Sequence, residues 1–143
     1  MPAEPAARAA AHAFLARHAA PSEDPVYAAA GLYRAYAMVS TNLRTAVGDD
    51  GTDALLSRAM ARVIEQHPTA HDLRRTATAN IDSAQLATAV LAHGEPCVRA
   101  MIEDLLATVI ELLTRLVGQG LAMRLIDHDS GVAPRPFTDE RVQ

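Results

Sequence analysis

The spacing of apolar side chains is helical along most of this chain, and the clearest case is residues 95–117. There, apolar positions recur in steps of three and four, which is the spacing of a helix face and not the alternation of a strand. They are Val98, Met101, Ile102, Leu105, Leu106, Val109, Ile110, Leu112, Leu113, Leu116 and Val117. Because about half of the circumference is apolar, we expect neighbours to cover this helix on more than one side.

The ends of this helix are also marked in the sequence. Gly94 can close the preceding helix in a left-handed conformation, Pro96 suits a first helical position, and Gly118 interrupts the apolar run. The polar residues share the other side, and we expect them to face solvent with Glu111 and Arg115 as an exposed ion pair. These polar residues are Arg99, Glu103, Asp104, Thr108, Glu111 and Arg115. The charges of Glu103, Asp104, Glu111 and Arg115 inside the segment argue against a membrane-spanning helix, so we predict a core helix and no membrane partner.

The rest of the chain contains shorter periodic segments. We predict helices over 26–47, from Thr52 or Asp53 to about Gln66, over 69–80, from about residue 83 to His93, and over 121–127, with a turn at 48–51. Asp24 can cap the first of these, with Pro25 at its first position. As organisation we predict an Ala-rich helix or arm over 1–21, a helical bundle over 22–129 and a flexible tail over 130–143.

The fold class that follows is all-α: a single-domain bundle of about five or six helices with no sheet. Alanine is abundant, aromatics make up 3% of the chain, and no segment alternates with period two. A shift of seventy residues aligns helix 26–47 with the central helix, and both end in Val-Gly. This alignment suggests two similar helical hairpins related by a pseudo-twofold axis. Alternatively, it reflects only the freedom with which two amphipathic helices can be aligned.

Charge and composition narrow the classes of function. All thirteen basic residues are arginine, which excludes a lysine nucleophile or Schiff base, and the net charge is −4. No basic stripe is present, so we expect no nucleic-acid partner. The first twenty residues contain charges and no continuous apolar segment, which argues against a signal peptide and favours a cytoplasmic location.

Candidate chemistry is sparse. Cys97 is the single cysteine, and the pair His67 and His71 is spaced for a helical metal site, but Pro68 between them disrupts that geometry. No Glu-x-x-His motif is present. A phosphorelay bundle would present an exposed histidine such as His12, yet such modules usually place a lysine just after it, and this chain has none. We therefore predict no metal, no cofactor and no catalytic residue.

One helix combines aromatic and polar side chains, and it supplies the candidate binding residues. On the helix over 26–47 these are Tyr33, Tyr36, Ser40 and Arg44, and on the central helix Ile102, Leu106 and Val109. The simpler interpretation is that the tyrosines border the core with their hydroxyls in water.

Three hypotheses of function follow. The first is a non-enzymatic interaction or regulatory module that forms a homodimer or binds a partner helix. The second is a sensor that holds a small apolar ligand in a pocket between helices 26–47 and 95–117. The third is an enzyme that uses Cys97 or a histidine.

Overall fold

The structure, a computed structural model, describes residues 5–67 and 83–126. Within those ranges the chain forms five α-helices and no strand, which confirms the all-α class. They are α1 (Pro5–His18), α2 (Pro25–Gln66), α3 (Ser83–His93), α4 (Glu95–Val117) and α5 (Gln119–Ile126). The predicted central helix is α4, with the bounds expected from sequence. The helix predicted over 69–80 and the tail predicted over 130–143 lie outside the described residues.

The helix α4 is the centre of the bundle and packs against each of the other four helices. Every residue from Asp104 to Leu113 is buried, so the helix is enclosed around its whole circumference. This confirms the prediction of a core helix covered on several sides. Among the helices of the described ranges, none is both long enough and apolar enough to cross a membrane.

The helix α1 is ordered and docked. Ala7, Ala11, Phe14 and Leu15 are buried and belong to the same hydrophobic core as α4. Since the start of α1 contacts the middle of α4 and its end approaches Arg99, the two helices run antiparallel. The N-terminal segment is therefore a helix of the bundle from Pro5 onward.

The helix α2 contains a bend of a single residue where we predicted a turn of four. Gly48 has φ 82° and ψ 172°, and helical structure resumes at once, so the turn over 48–51 is wrong. The predicted cap at Thr52 or Asp53 is also wrong, because both lie inside the helix. Asp49 and Asp50 begin the second segment, where acidic side chains interact favourably with the helix dipole. The predicted cap at the start of α2 is confirmed: Asp24 Oδ1 accepts the Val26 N–H at 2.9 Å.

Three glycines connect consecutive helical segments in the same way. Gly48, Gly94 and Gly118 have φ of 82°, 91° and 89° with ψ of 172°, 151° and 158°. This region of positive φ and extended ψ is accessible in practice only to glycine. Gly94 thus has the predicted positive φ, but an extended ψ in place of the left-handed helical one.

The first segment of α2 (25–47) and α4 (95–117) are displaced by seventy residues at both ends. Each follows its cap residue directly, and each ends at a glycine in the same conformation. The described elements thus match the seventy-residue alignment, while the pseudo-twofold axis stays a prediction.

Candidate functional site

The polar side of α4 forms an acidic row that lies between α1 and the second segment of α2. Asp104, Thr108 and Glu111 are buried, and Glu103 is half-buried. We expected these residues to face solvent, and for the three buried ones that expectation is wrong. The reason is that α1 and the end of α2 with its cap residue His67 cover this side and bring their own charged groups to it.

Asp104 is held from two helices at once. Arg8 of α1 forms an ion pair with Oδ1, and Nε2 of His67 at the end of α2 pairs with Oδ2. Its backbone carbonyl accepts the hydroxyl of Thr108 at 2.8 Å, which satisfies that buried side chain as well. A carboxylate in such a place requires partners of this kind, because an isolated buried charge is strongly unfavourable.

Glu111 lies two helical turns further along the same side. Its Oε2 accepts hydrogen bonds from Arg62 at 3.2 Å and from Arg115 at 2.9 Å. The predicted Glu111–Arg115 pair therefore exists, but its acid is only 4% exposed, whereas the Arg115 side chain is 63% exposed. The prediction of an exposed ion pair is wrong for the carboxylate.

Glu103 contacts α1 at the edge of the row. Its Oε1 is 2.9 Å from Nδ1 of His12, and its Oε2 is 3.9 Å from the guanidinium of Arg8. Two histidine–carboxylate pairs, His12–Glu103 and His67–Asp104, thus lie on either side of Arg8. Each carboxylate fixes one ring nitrogen of its histidine, an arrangement that sets the tautomer and leaves the other nitrogen to donate or accept.

Sequence reasoning missed this cluster. The residues that complete it, Arg8, His12, Arg62 and His67, are distant along the chain from the acids of α4. No spacing within one helix reveals which arginine will meet which carboxylate, so the packing of three helices had to be known first.

The seven predicted binding residues lie elsewhere, mostly in the core. Tyr36, Ile102, Leu106 and Val109 are buried members of the central hydrophobic cluster, Ser40 is buried, and Tyr33 is half-buried against that cluster. These six side chains thus lie in the core or against it, and their part in binding stays a prediction.

Arg44, the seventh of these residues, has a structural role at the Gly48 bend. It donates to Asp53 at 3.0 Å and to Asp49 at 3.2 Å, joining the two segments of α2. The hydrogen bond to Asp53, followed by that to Asp49, raises the pKa of Arg44 above its ordinary value.

A small cavity lies between α1, α4 and α5. Its volume is about 200 Å³, and Ala7, Ala10, Ile110, Glu111 and Met123 are among the residues that line it. The predicted pocket lay between residues 26–47 and α4, and this cavity contains none of the seven predicted residues. It is smaller than the roughly 300–1,000 Å³ of most ligand pockets.

The described residues include two of the groups considered for metal or thiol chemistry, His67 and Cys97. Over residues 5–67 and 83–126 no group of three or more His, Cys, Asp or Glu side chains could hold a metal ion. Cys97 is half-buried in the first turn of α4. His71 and Pro68 fall outside the described ranges, so the geometry of the His67/His71 pair is not tested.

Comparison with models of known protein families, with curated proteins and with solved structures finds no match to this chain.

Proposed function

We propose that the protein is a non-enzymatic helical regulatory module that self-associates or binds a helix of a partner protein. The observation that carries the proposal is a pair of exposed leucines beside the bend at Gly118. Leu116 at the end of α4 is 67% exposed, and Leu121 in α5 is 40% exposed. The broad apolar face of α4 is buried within the chain itself and does not provide such a surface.

The pair is suited to such a contact because of the bend between them. Gly118 ends α4 and lets α5 begin one residue later, so the two leucines lie on adjoining segments. Complete burial of a leucine stabilises by about 1.5–3 kcal/mol. Because about half of each leucine is still exposed, burying Leu116 and Leu121 of both copies in a symmetric dimer would contribute about 3–6 kcal/mol to the free energy of association. Cytoplasmic location is part of this proposal.

Sedimentation over a wide range of protein concentration tests it. We expect a twofold dimer for the natural chain, and at least about a hundredfold weaker association for the double variant Leu116→Gln/Leu121→Gln. Leu91→Gln is the matched control, because Leu91 is 71% exposed on α3, away from the bend. A natural chain that stays monomeric contradicts self-association. If the same proteins copurify with the natural chain and with the double variant, partner binding through the two leucines is contradicted as well.

The cavity between α1, α4 and α5 favours a second function, a sensor of a small molecule. Its lining combines alanine and isoleucine side chains with the carboxylate-bearing Glu111. A ligand of a few heavy atoms that binds the folded state would raise the melting temperature. Ala10→Leu should fill the cavity and abolish that rise. A screen of small compounds that shifts the natural chain and the Ala10→Leu variant equally would contradict this site.

A further inference from the structure

His12 is the most exposed member of the charged cluster, and its ring is held in one orientation. It lies in the middle of α1 with its side chain 74% exposed, and its Nδ1 is 2.9 Å from Oε1 of Glu103. An ionised carboxylate can only accept a hydrogen bond, so Nδ1 must carry the proton. In the neutral ring the lone pair is then on Nε2, which makes no hydrogen bond to any residue of 5–67 or 83–126.

Glu103 is itself fixed. Its side chain is only 18% exposed, and the Arg8 guanidinium lies 3.9 Å from its other oxygen while also pairing with Asp104. Arg8 precedes His12 by one helical turn, so a positive charge lies close to the imidazole on the same helix.

The side chains around His12 on the exposed surface of α1 are mostly small. Its exposed neighbours on α1 are alanines at positions 9, 13 and 16, whose side chains are single methyl groups. Phe14 and Leu15, both at most 2% exposed, anchor α1 to the core. On α1 a large side chain, Arg8, lies one turn before His12, and its guanidinium pairs with the carboxylates of α4. Because the His12 side chain is 74% exposed, the arrangement fits a residue that is modified better than one that processes a bound substrate.

We propose that Nε2 of His12 accepts a phosphoryl group from an activated donor, one whose leaving group is an amine or a carboxylate. The Nε2 lone pair attacks phosphorus, the bond from phosphorus to the leaving group breaks, and an Nε2–P bond forms without any oxidation or reduction. The positive charge that develops on the ring is balanced by Glu103, which can also take the Nδ1 proton. Glu103 is thus a positioning residue. This activity goes beyond the proposed binding function and does not depend on Leu116 or Leu121.

The test uses the full chain and potassium phosphoramidate, whose ammonia leaves as the phosphoryl group is transferred. Peptide mass spectrometry follows the rate at each histidine, and ³¹P NMR identifies the ring nitrogen that is modified. We expect His12 to react about tenfold or more faster than His18, whose ring packs against Phe14 with centroids 4.5 Å apart, and to react at Nε2. Equal rates at His12 and His18, or a product at Nδ1, would overturn the proposal.

Variants separate positioning from simple exposure. Glu103→Ala should slow the reaction of His12 about tenfold, whereas Glu103→Gln, which can still accept from Nδ1, should retain part of the rate. His12→Gln should remove the fast phase, and His18→Gln, on the same helix, should keep it. Long-range ¹H–¹⁵N NMR gives a readout independent of rate, since the ring of His12 should be the Nδ1–H tautomer in the natural chain and lose that preference in Glu103→Ala. A Glu103→Ala variant with unchanged rate and tautomer refutes the role of Glu103.

Discussion

Alanine in place of Gly118 should destabilise the protein, whereas alanine in place of Gly120, two residues later, should stabilise it. A Cβ built on either glycine meets no atom within 4 Å, so neither substitution creates a clash. The two positions differ in backbone conformation alone. Gly118 has φ 89° and ψ 158°, while Gly120 lies inside α5.

The magnitudes follow from that difference. Holding alanine in the region occupied by Gly118 costs about 1–3 kcal/mol. In a helix alanine is favoured over glycine by up to about 1 kcal/mol, and Gly120 lies in the first turn, where the gain is smaller. The two variants should therefore differ by about 1–4 kcal/mol in free energy of unfolding, which corresponds to about 3–20 °C in melting temperature for a chain of this length.

Urea denaturation followed by far-ultraviolet circular dichroism measures the difference, with a thermal scan as a second readout. The slope of unfolding free energy against urea should be the same for both variants if only stability has changed. Gly48→Ala repeats the test within α2, because Gly48 has φ 82° and an open surrounding. If Gly118→Ala and Gly48→Ala are as stable as the natural chain, the glycine conformations at these two bends are not as described, and the reasoning fails.

Three further substitutions test the energetics of the interior, each by urea denaturation. Glu111→Ala should lower the free energy of unfolding by about 2–4 kcal/mol, because it removes a buried carboxylate that pairs with Arg62 and Arg115. A loss below about 0.5 kcal/mol, as for a surface substitution, would contradict the burial of this carboxylate. Arg44→Met should lower the free energy of unfolding by less than about 1 kcal/mol, because Asp49 and Asp53 are well exposed. The decrease should be smaller still at high salt, which screens exposed charges. Thr52→Val should raise the free energy of unfolding by about 1–2 kcal/mol, because the fully buried Thr52 hydroxyl has no hydrogen-bond partner within the described ranges. A decrease in stability would show that the hydroxyl does have a hydrogen-bond partner.

Much of the fold could be predicted from local signals. The apolar spacing of 95–117, with Gly94, Pro96 and Gly118 at its ends, was sufficient to predict α4 with its observed bounds. Helix spacing and terminal residues act within a few positions, so they can be seen in the sequence. The bend at Gly48 shows the limit of such signals, because Gly-Asp-Asp-Gly also suits a turn. The single-residue bend is favoured over a four-residue turn by the acidic start of a helix at Asp49 and by the contacts of Arg44 across the bend.

The candidate site could not be predicted in the same way. On a helical wheel Glu103, Asp104 and Glu111 look like an ordinary solvated face, and their burial depends on where α1 and the end of α2 pack. His12 shows the same limit, because its chemistry depends on a carboxylate ninety-one residues away in sequence. Interactions at that separation are properties of tertiary packing, and no periodicity in one segment contains them.

The buried charges of α4 explain how an alanine-rich helix can pack in one position. The side of α1 that meets α4 and lines the cavity includes Ala7 and Ala10, and such small side chains could slide along α4 with little change in contact. The observed register, meaning the position of α1 along α4, places Arg8 beside Asp104 and His12 beside Glu103 at the same time. Buried ionic groups can supply this kind of specificity without adding net stability.

If this account is correct, substitutions in the ion pair can change the position of α1 along α4 without lowering the free energy of unfolding. Arg8→Leu alone should cost about 3 kcal/mol, because Asp104 then loses one of its two partners. The combined variant Arg8→Leu/Asp104→Leu/His67→Leu should be as stable as the natural chain or up to about 4 kcal/mol more stable, since an apolar cluster replaces buried charges. Freed from the ion pair, α1 should occupy more than one position, and the His12 ring should lose its Nδ1–H preference in ¹H–¹⁵N spectra. If the combined variant keeps that tautomer, the apolar contacts of Phe14 and Leu15 alone define the register, and the acidic row has no part in aligning α1.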